Sequence, residues 1–167
     1  MKTLETSRLI IRPLTQDDAG FIVELLNTPS FLEFIGDRGV KTIEDGKAYL
    51  LKGPIRSYAD HGFGLCLMQL KEDSTPFGMC GLIKRDGLDD VDLGFALLPA
   101  YEGKGYGFEA ASTVMAFGRE ELGLQRIVAI TIQANKNSIH LLEKLGFVYE
   151  KTTKLPGDEE ELMLFGV

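Results

Sequence analysis

The run Gly103-Lys104-Gly105-Tyr106-Gly107 constrains the fold more than any other part of the chain. It joins a strand-forming stretch, Val91 to Leu98, to a long helix-forming stretch. A further strand-forming stretch, Gln125 to Ile132, follows that helix. A strand, a helix and a strand in this order close as a crossover that leaves the two strands parallel. The glycines remove Cβ atoms and permit left-handed dihedrals. The N–H groups of the first helical turn have no intrahelical partner, so at such a loop they converge on one point. That makes an anion site suited to a phosphate or pyrophosphate, with Lys104 adding positive charge. A tight, closely packed strand-to-helix turn would explain the same glycines.

The rest of the chain reads around this unit. Leu9 to Arg12 is a strand ended by Pro13, and Thr15 with Asp18 has the spacing of a capping box. A helix then runs to about Leu26, with Ile22, Leu25 and Leu26 inward. Phe31, Phe34 and Ile35 form a short apolar cluster fit for packing or a pocket wall. Thr42 and Asp45 repeat the capping signature before a second helix, which Pro54 kinks or breaks. Phe63 to Leu70 and Phe77 to Lys84 are strands joined by a polar link. In Val91 to Leu98 the odd positions are bulky, while the even positions begin Asp92, Gly94 and Ala96. One face is therefore core and the other lets a ligand approach the backbone. After the glycine run, Phe108, Ala111, Met115, Gly118 and Leu122 make an inward helical stripe, and Gly123 closes it. Asn135 or Asn137 starts a short helix ending at Leu145-Gly146. Phe147 to Thr153 and Leu162 to Val167 are the last strands, around a turn at Pro156 to Glu159. No linker or repeat interrupts the chain. The expectation is one domain over residues 1–167, α/β (α+β), with a mixed sheet and helices on both faces.

Charge and composition exclude several classes. With 18 basic and 25 acidic side chains the net charge is −7, which disfavours a phosphate-backbone partner such as DNA or RNA. No apolar run approaches the roughly 18 residues of a membrane span, and the start meets charge at once instead of an apolar targeting stretch. Cys66 and Cys80 sit in apolar runs and read as buried thiols of a cytoplasmic protein, with no metal site expected. Two nucleotide fingerprints fail. Gly103-Lys104 is followed by Gly105, where a P-loop needs a hydroxyl. Gly103, Gly105 and Gly107 have the wrong last interval for a dinucleotide fold, and the following strand ends in Thr131-Ile132-Gln133 without an acid.

Four blocks in order carry a resemblance. They are Leu4-Glu5-Thr6-Ser7-Arg8-Leu9-Ile10-Ile11-Arg12-Pro13-Leu14, then Leu93-Gly94-Phe95-Ala96-Leu97, then Glu102 to Gly107 running into Glu109-Ala110. The last is Asn135-x-x-Ser138-Ile139 with Leu142-Glu143-Lys144-Leu145-Gly146-Phe147. The chain resembles the GCN5-related N-acetyltransferases (GNAT), and within them the ribosomal-protein alanine N-acetyltransferase, RimJ/RimL-like, subfamily. The resemblance implies a sheet splayed between the family's fourth and fifth strands, here Val91–Leu98 and Gln125–Ile132, with acetyl-CoA in the notch. Phe95, Ala96 and Leu97 would line the pantetheine. Glu102, Gly103, Lys104, Gly105, Tyr106 and Gly107 would form the pyrophosphate loop, and Asn135 would bond the pantetheine amide. Glu102 departs from the family's usual glutamine or arginine, and is expected to point outward with Lys104 compensating.

The implied reaction is acetyl transfer to a primary amine, which must be neutral to attack. A backbone N–H near Leu97 would meet the charge developing on the thioester oxygen. Asp92 is the first candidate base, on the face where the amine would arrive; a surface aspartate capping the strand is the plain alternative. Glu33 and His61 are further candidate bases. The family's usual tyrosine acid falls on Leu142 here, so Ser138 is the candidate partner of the thiol; Ser138 and Asn135 would otherwise be a first-turn hydroxyl and a helix cap. The acceptor would be a protein N-terminal amine, a polyamine or a small amine metabolite, with the protein a monomer or homodimer. The competing function is a catalytically idle acyl-CoA-binding sensor or partner module.

Overall fold

The computed structural model describes residues 1–167. Its strands are β1 (Leu4–Glu5), β2 (Leu9–Pro13), β3 (Leu65–Leu70), β4 (Pro76–Ile83), β5 (Asp92–Leu97), β6 (Val128–Thr131), β7 (Val148–Thr153) and β8 (Leu162–Gly166). Its helices are α1 (Ala19–Leu26), α2 (Pro29–Phe34), α3 (Ile43–Lys52), α4 (Pro54–His61), α5 (Tyr106–Glu120) and α6 (Lys136–Lys144). The capping signals act as the sequence suggests. Asp45 N–H donates to Thr42 Oγ1 at 3.1 Å, and Thr42 N–H donates to the Asp45 carboxylate at 3.1 Å, at the start of α3. Thr15 N–H donates to Asp18 at 2.9 Å, but a short 3-10 turn over Gln16–Asp18 precedes α1. The apolar cluster at Phe31 to Ile35 is α2, capped by the Thr28 hydroxyl, which accepts from Phe31 N–H at 3.3 Å. Pro54 does not kink one helix; it opens a new one at N1, where its missing N–H costs nothing.

All strands lie in one sheet, in the order β1-β2-β3-β4-β5-β6-β8-β7. β4 and β5 pair antiparallel along their whole length, from Gly78 opposite Leu97 to Ile83 opposite Asp92. β5 and β6 pair parallel at a single position, Asp92 opposite Val128, and then part. This is the splay expected between Val91–Leu98 and Gln125–Ile132. The β5-α5-β6 unit is the crossover that the glycine run demanded.

Helices cover both faces. On one side α5 and α6 pack on Phe77, Cys80, Leu82, Leu93 and Phe165; on the other α1 to α4 pack on Leu67 and Met79. Cys66 and Cys80 face each other across β3 and β4 as fully buried thiols, and burial pushes Cys66 up to about 12. The inward side of α5 is Ala110, Ala111, Val114, Met115, Phe117 and Gly118. Gly118 is a tight contact, since a Cβ there would stand 2.8 Å from a Leu82 methyl. Phe108 does not join this stripe. It is 38% exposed at the mouth of a cleft, with Lys144 Nζ over its ring at 5.1 Å. No helix is long and apolar enough to cross a membrane.

Candidate active site

Two clefts open along the splayed edge. The smaller, about 520 Å³, lies over the start of α5, and the larger, about 910 Å³, lies between α2–α4 and the β5–β6 opening. Phe95, Ala96, Asn135 and Ser138 line both, as do Phe31, Phe34 and Ile35. The clefts therefore join where the strands part.

The smaller cleft is built from backbone. Gly103 and Gly105 take left-handed dihedrals, φ 74° and 82°, which an L side chain resists. Gly105 is the N-cap of α5, and the first bond back to it comes from Glu109 N–H at 3.0 Å. No protein acceptor meets any backbone N–H from Gly103 to Phe108. A row of free N–H groups at the N-terminus of a 15-residue helix can bind a diphosphate. A Cβ at Gly103 would meet nothing within 4 Å, so the space above the loop is open.

Side-chain charge is arranged differently from expectation. Lys104 does not line the cleft; its Nζ sits 5.8 Å from the centre of the Tyr101 ring. Glu102 stands exposed at the cleft lip. Positive charge comes instead from Lys144 of α6, inside the cleft, and from Arg8, behind the loop. Arg8 lies 4.5 Å from the centre of the Tyr106 ring, donates to Lys104 O at 3.2 Å and donates to Glu109 at 2.8 Å. Thr6 also donates to Glu109. Burial raises the Glu109 carboxyl, and the bonds from Thr6 and Arg8 together outweigh it and hold the group below its ordinary range. Tyr106 and Tyr101 turn inward on buried Phe77, each at 5.1 Å between ring centres. The only sequence sign of Arg8 was its place in the first block of the resemblance.

The β5 edge supplies the junction. Leu98 N–H donates to Phe77 O at 2.8 Å, toward β4, and Val91 O accepts from Val128 N–H at 3.0 Å, toward β6. Alternation along the strand then directs the N–H and C=O of Phe95 and Leu97 into the notch, where β6 no longer pairs. Across from them Asn135 caps α6: its side-chain oxygen accepts from Ser138 N–H at 3.2 Å. The Ser138 hydroxyl has no protein partner and lines both clefts. Leu142 is a core residue, 1% exposed. The even face of β5 opens on the larger cleft through Gly94 and Ala96, with one flexible neighbour reaching over it. A Cβ on Gly94 would stand 2.8 Å from an Ile83 methyl.

Asp92 is neither a surface cap nor a free base. It lines the larger cleft but is 1% exposed, and both carboxylate oxygens accept from Arg85 Nε, at 3.0 and 3.1 Å. Burial pushes its pKa up, against the pull of Arg85. The candidate base, expected to act through water, is thus buried and committed to a guanidinium. His61 is exposed at the end of α4, stacks on Phe63 at 5.7 Å and reaches the rim of the same cleft. Glu33 is exposed on α2 and lines neither cleft.

Residues 8–148 match the family model described as acetyltransferase (GNAT) domain. Among curated relatives, the chain is 28% identical over 143 residues to the uncharacterized N-acetyltransferase YnaD of Bacillus subtilis (strain 168), covering 86% of this chain and 81% of that one. Among solved structures it is similar to an acetyltransferase from Agrobacterium tumefaciens str. C58, with a TM-score of 0.85 and 23% identity, covering 100% of this chain and 94% of that one. It is also similar to RimL, a ribosomal L7/L12 alpha-N-protein acetyltransferase solved in complex with coenzyme A. There the TM-score is 0.81 at 14% identity, over 99% of this chain and 97% of that one.

Proposed function

The chain belongs to the GNAT acetyltransferase family, and on that premise we propose that it moves an acetyl group from acetyl-CoA to a primary amine by direct attack in a ternary complex. The four sequence blocks support a RimJ/RimL-like reading within that family. One observation carries the reading. A cleft with free backbone N–H groups and a second, solvent-open cleft meet at Phe95, Ala96, Asn135 and Ser138, so a donor in one and an amine in the other come into contact.

Acetyl-CoA fits the smaller cleft and supplies the acetyl thioester. The N–H groups of Gly103 to Phe108 hold the pyrophosphate, and Lys144 and Arg8 offset the Glu102 carboxylate. Phe95, Ala96 and Leu97 line the path of the pantetheine arm. The amine nitrogen bonds the acetyl carbon as the carbon–sulfur bond breaks. The attacking amine is neutral and loses one proton to water in the open cleft. The sulfur takes one proton back from water and leaves as a thiol, with Ser138 keeping its own proton. The N–H groups of Phe95 and Leu97, unpaired on the notch edge, serve the charge that gathers on the carbonyl oxygen. The Ser138 hydroxyl donates to the departing sulfur. Asp92 acts through Arg85 as a positioning residue.

The test is a thioester-consumption screen of the purified protein against peptides, polyamines and amino acids, beside calorimetric titration with coenzyme A. Turnover of an amine with coenzyme A binding supports the reading. Binding without turnover leaves an idle acyl-CoA module, and absence of binding removes the cofactor. Ser138→Ala should lower kcat about tenfold with coenzyme A affinity unchanged; unchanged turnover would make Ser138 a structural residue.

A further inference from the structure

The larger cleft carries positive side chains with donors that the fold leaves unused. Arg85 is fixed by its Nε to buried Asp92, and its side chain is 30% exposed. Neither of its Nη groups has a protein acceptor. A buried carboxylate that holds only the Nε of an arginine orients the other end of the fork toward open space. Arg38 stands exposed on the loop after α2, lines the same cleft and makes no ion pair. Between helix and sheet lies Tyr49 of α3, half-buried, its hydroxyl without a protein partner although it lines the cleft. Burial holds that hydroxyl above its ordinary range while the Arg38 and Arg85 charges both act on it in the opposite sense, so the three groups share one region.

The acidic residues of this cleft are arranged otherwise. Asp45 is taken by the Lys41 and Thr42 N–H groups, Asp60 by Arg56 and Asp92 by Arg85. Asp86, Asp158 and Glu160 stand on the exposed rim. In a chain of net charge −7, two guanidiniums with unused donors and an unpaired phenol on one wall make a local positive site that suits an anionic group.

We infer that the acceptor is an amine that also carries a carboxylate, held by Arg85 and Arg38 with the Tyr49 hydroxyl while its amine reaches the notch at Phe95. A planar carboxylate matches the paired donors of a guanidinium, and a purely cationic polyamine would meet repulsion on this wall. The inference rests on the transferase reading and adds the class of acceptor.

The experiment compares matched amines under the thioester-consumption assay. The panel is the free α-amino acids and linear ω-amino acids of three to six carbons, each beside its own carboxamide, with spermidine as the polycation. The free acid of the best pair should exceed its carboxamide in kcat/KM by about tenfold or more, the effect of a charge-assisted hydrogen bond. Arg38→Gln removes a side chain with no intramolecular partner, so its thermal midpoint should stay near that of the parent. It should bring the acid-to-amide ratio to within about threefold, chiefly through KM. Carboxamides or spermidine used as well as or better than free acids would overturn the carboxylate assignment and leave the transferase standing. An unchanged ratio in Arg38→Gln would overturn it too. Coenzyme A binding with no amine consumed would overturn the transferase reading itself, and this inference with it.

Discussion

The two clefts that meet at Ser138 are made of different material. The smaller uses main-chain N–H groups released by two left-handed glycines at the head of one helix. The larger uses side chains from α3, the loop after α2 and the end of β4, oriented by a buried ion pair. A backbone site is nearly indifferent to side-chain identity so long as the dihedrals hold. A side-chain site can change its ligand by changing one residue. One fold can thus keep a common donor and vary its acceptor.

Substitutions can break or sharpen this contrast. The largest effect should come from Gly105→Val, which puts a β-branched residue at φ 82° and at the mouth of the N–H row. Coenzyme A affinity by calorimetry should fall about 100-fold or more; a fall of less than threefold would show that the loop backbone is not the anchor. Next is Arg85→Ala, which leaves Asp92 buried without its partner. Stability from urea unfolding should drop by on the order of 3 kcal/mol while coenzyme A affinity at pH 7 holds within about twofold. A matching loss of coenzyme A affinity would mean that the two clefts are not separable. Arg8→Ala should weaken coenzyme A about fivefold through loss of the loop's rear support, with turnover at saturating donor little changed.

The smallest effect is a pH dependence of the N-terminal docking. Glu109 is held below its ordinary value near 4.5, so its contribution is complete above the unfolded pKa and is lost as pH falls through the lower folded value. The stability gap between the parent and Glu109→Gln, read from urea unfolding, should therefore be present at pH 7 and shrink as pH falls below the ordinary value of 4.5. A gap that persists in acid would assign Glu109 a packing role instead of a charged one.

Much of the scaffold was legible in the chain. The crossover followed from the glycine run, and the strand edges from Pro13 and the polar link before Pro76. The capping box at Thr42 and Asp45 was readable because its partners lie within one turn. The pattern of Val91 to Leu98 correctly turned its odd positions toward the core, where Leu93 is buried and Val91, Phe95 and Leu97 pack half-buried against it. Its even positions open on the larger cleft at Gly94 and Ala96, and only the packed sheet shows Ile83 reaching over Gly94. Phe108 kept helical spacing and still faced outward, because α5 begins beside an open cleft and has no wall to cover it there.

The candidate site divides in the same way. The candidate groups at Gly103 to Gly107 and Phe95 to Leu97 were nameable because main-chain donors that act together sit within a continuous segment. Lys104 was misplaced because adjacency in sequence does not fix where a long side chain goes. Arg8 meets Glu109 across 101 positions, and Asp92 finds Arg85 through the β4–β5 turn. No periodicity or spacing records such meetings. The local dihedrals, the helix starts and the parallel crossover were determined by the sequence itself, since each depends on neighbours a few residues apart. Which charges face the larger cleft, and which are spent on the fold, was decided only when the sheet and its two helical layers closed around them.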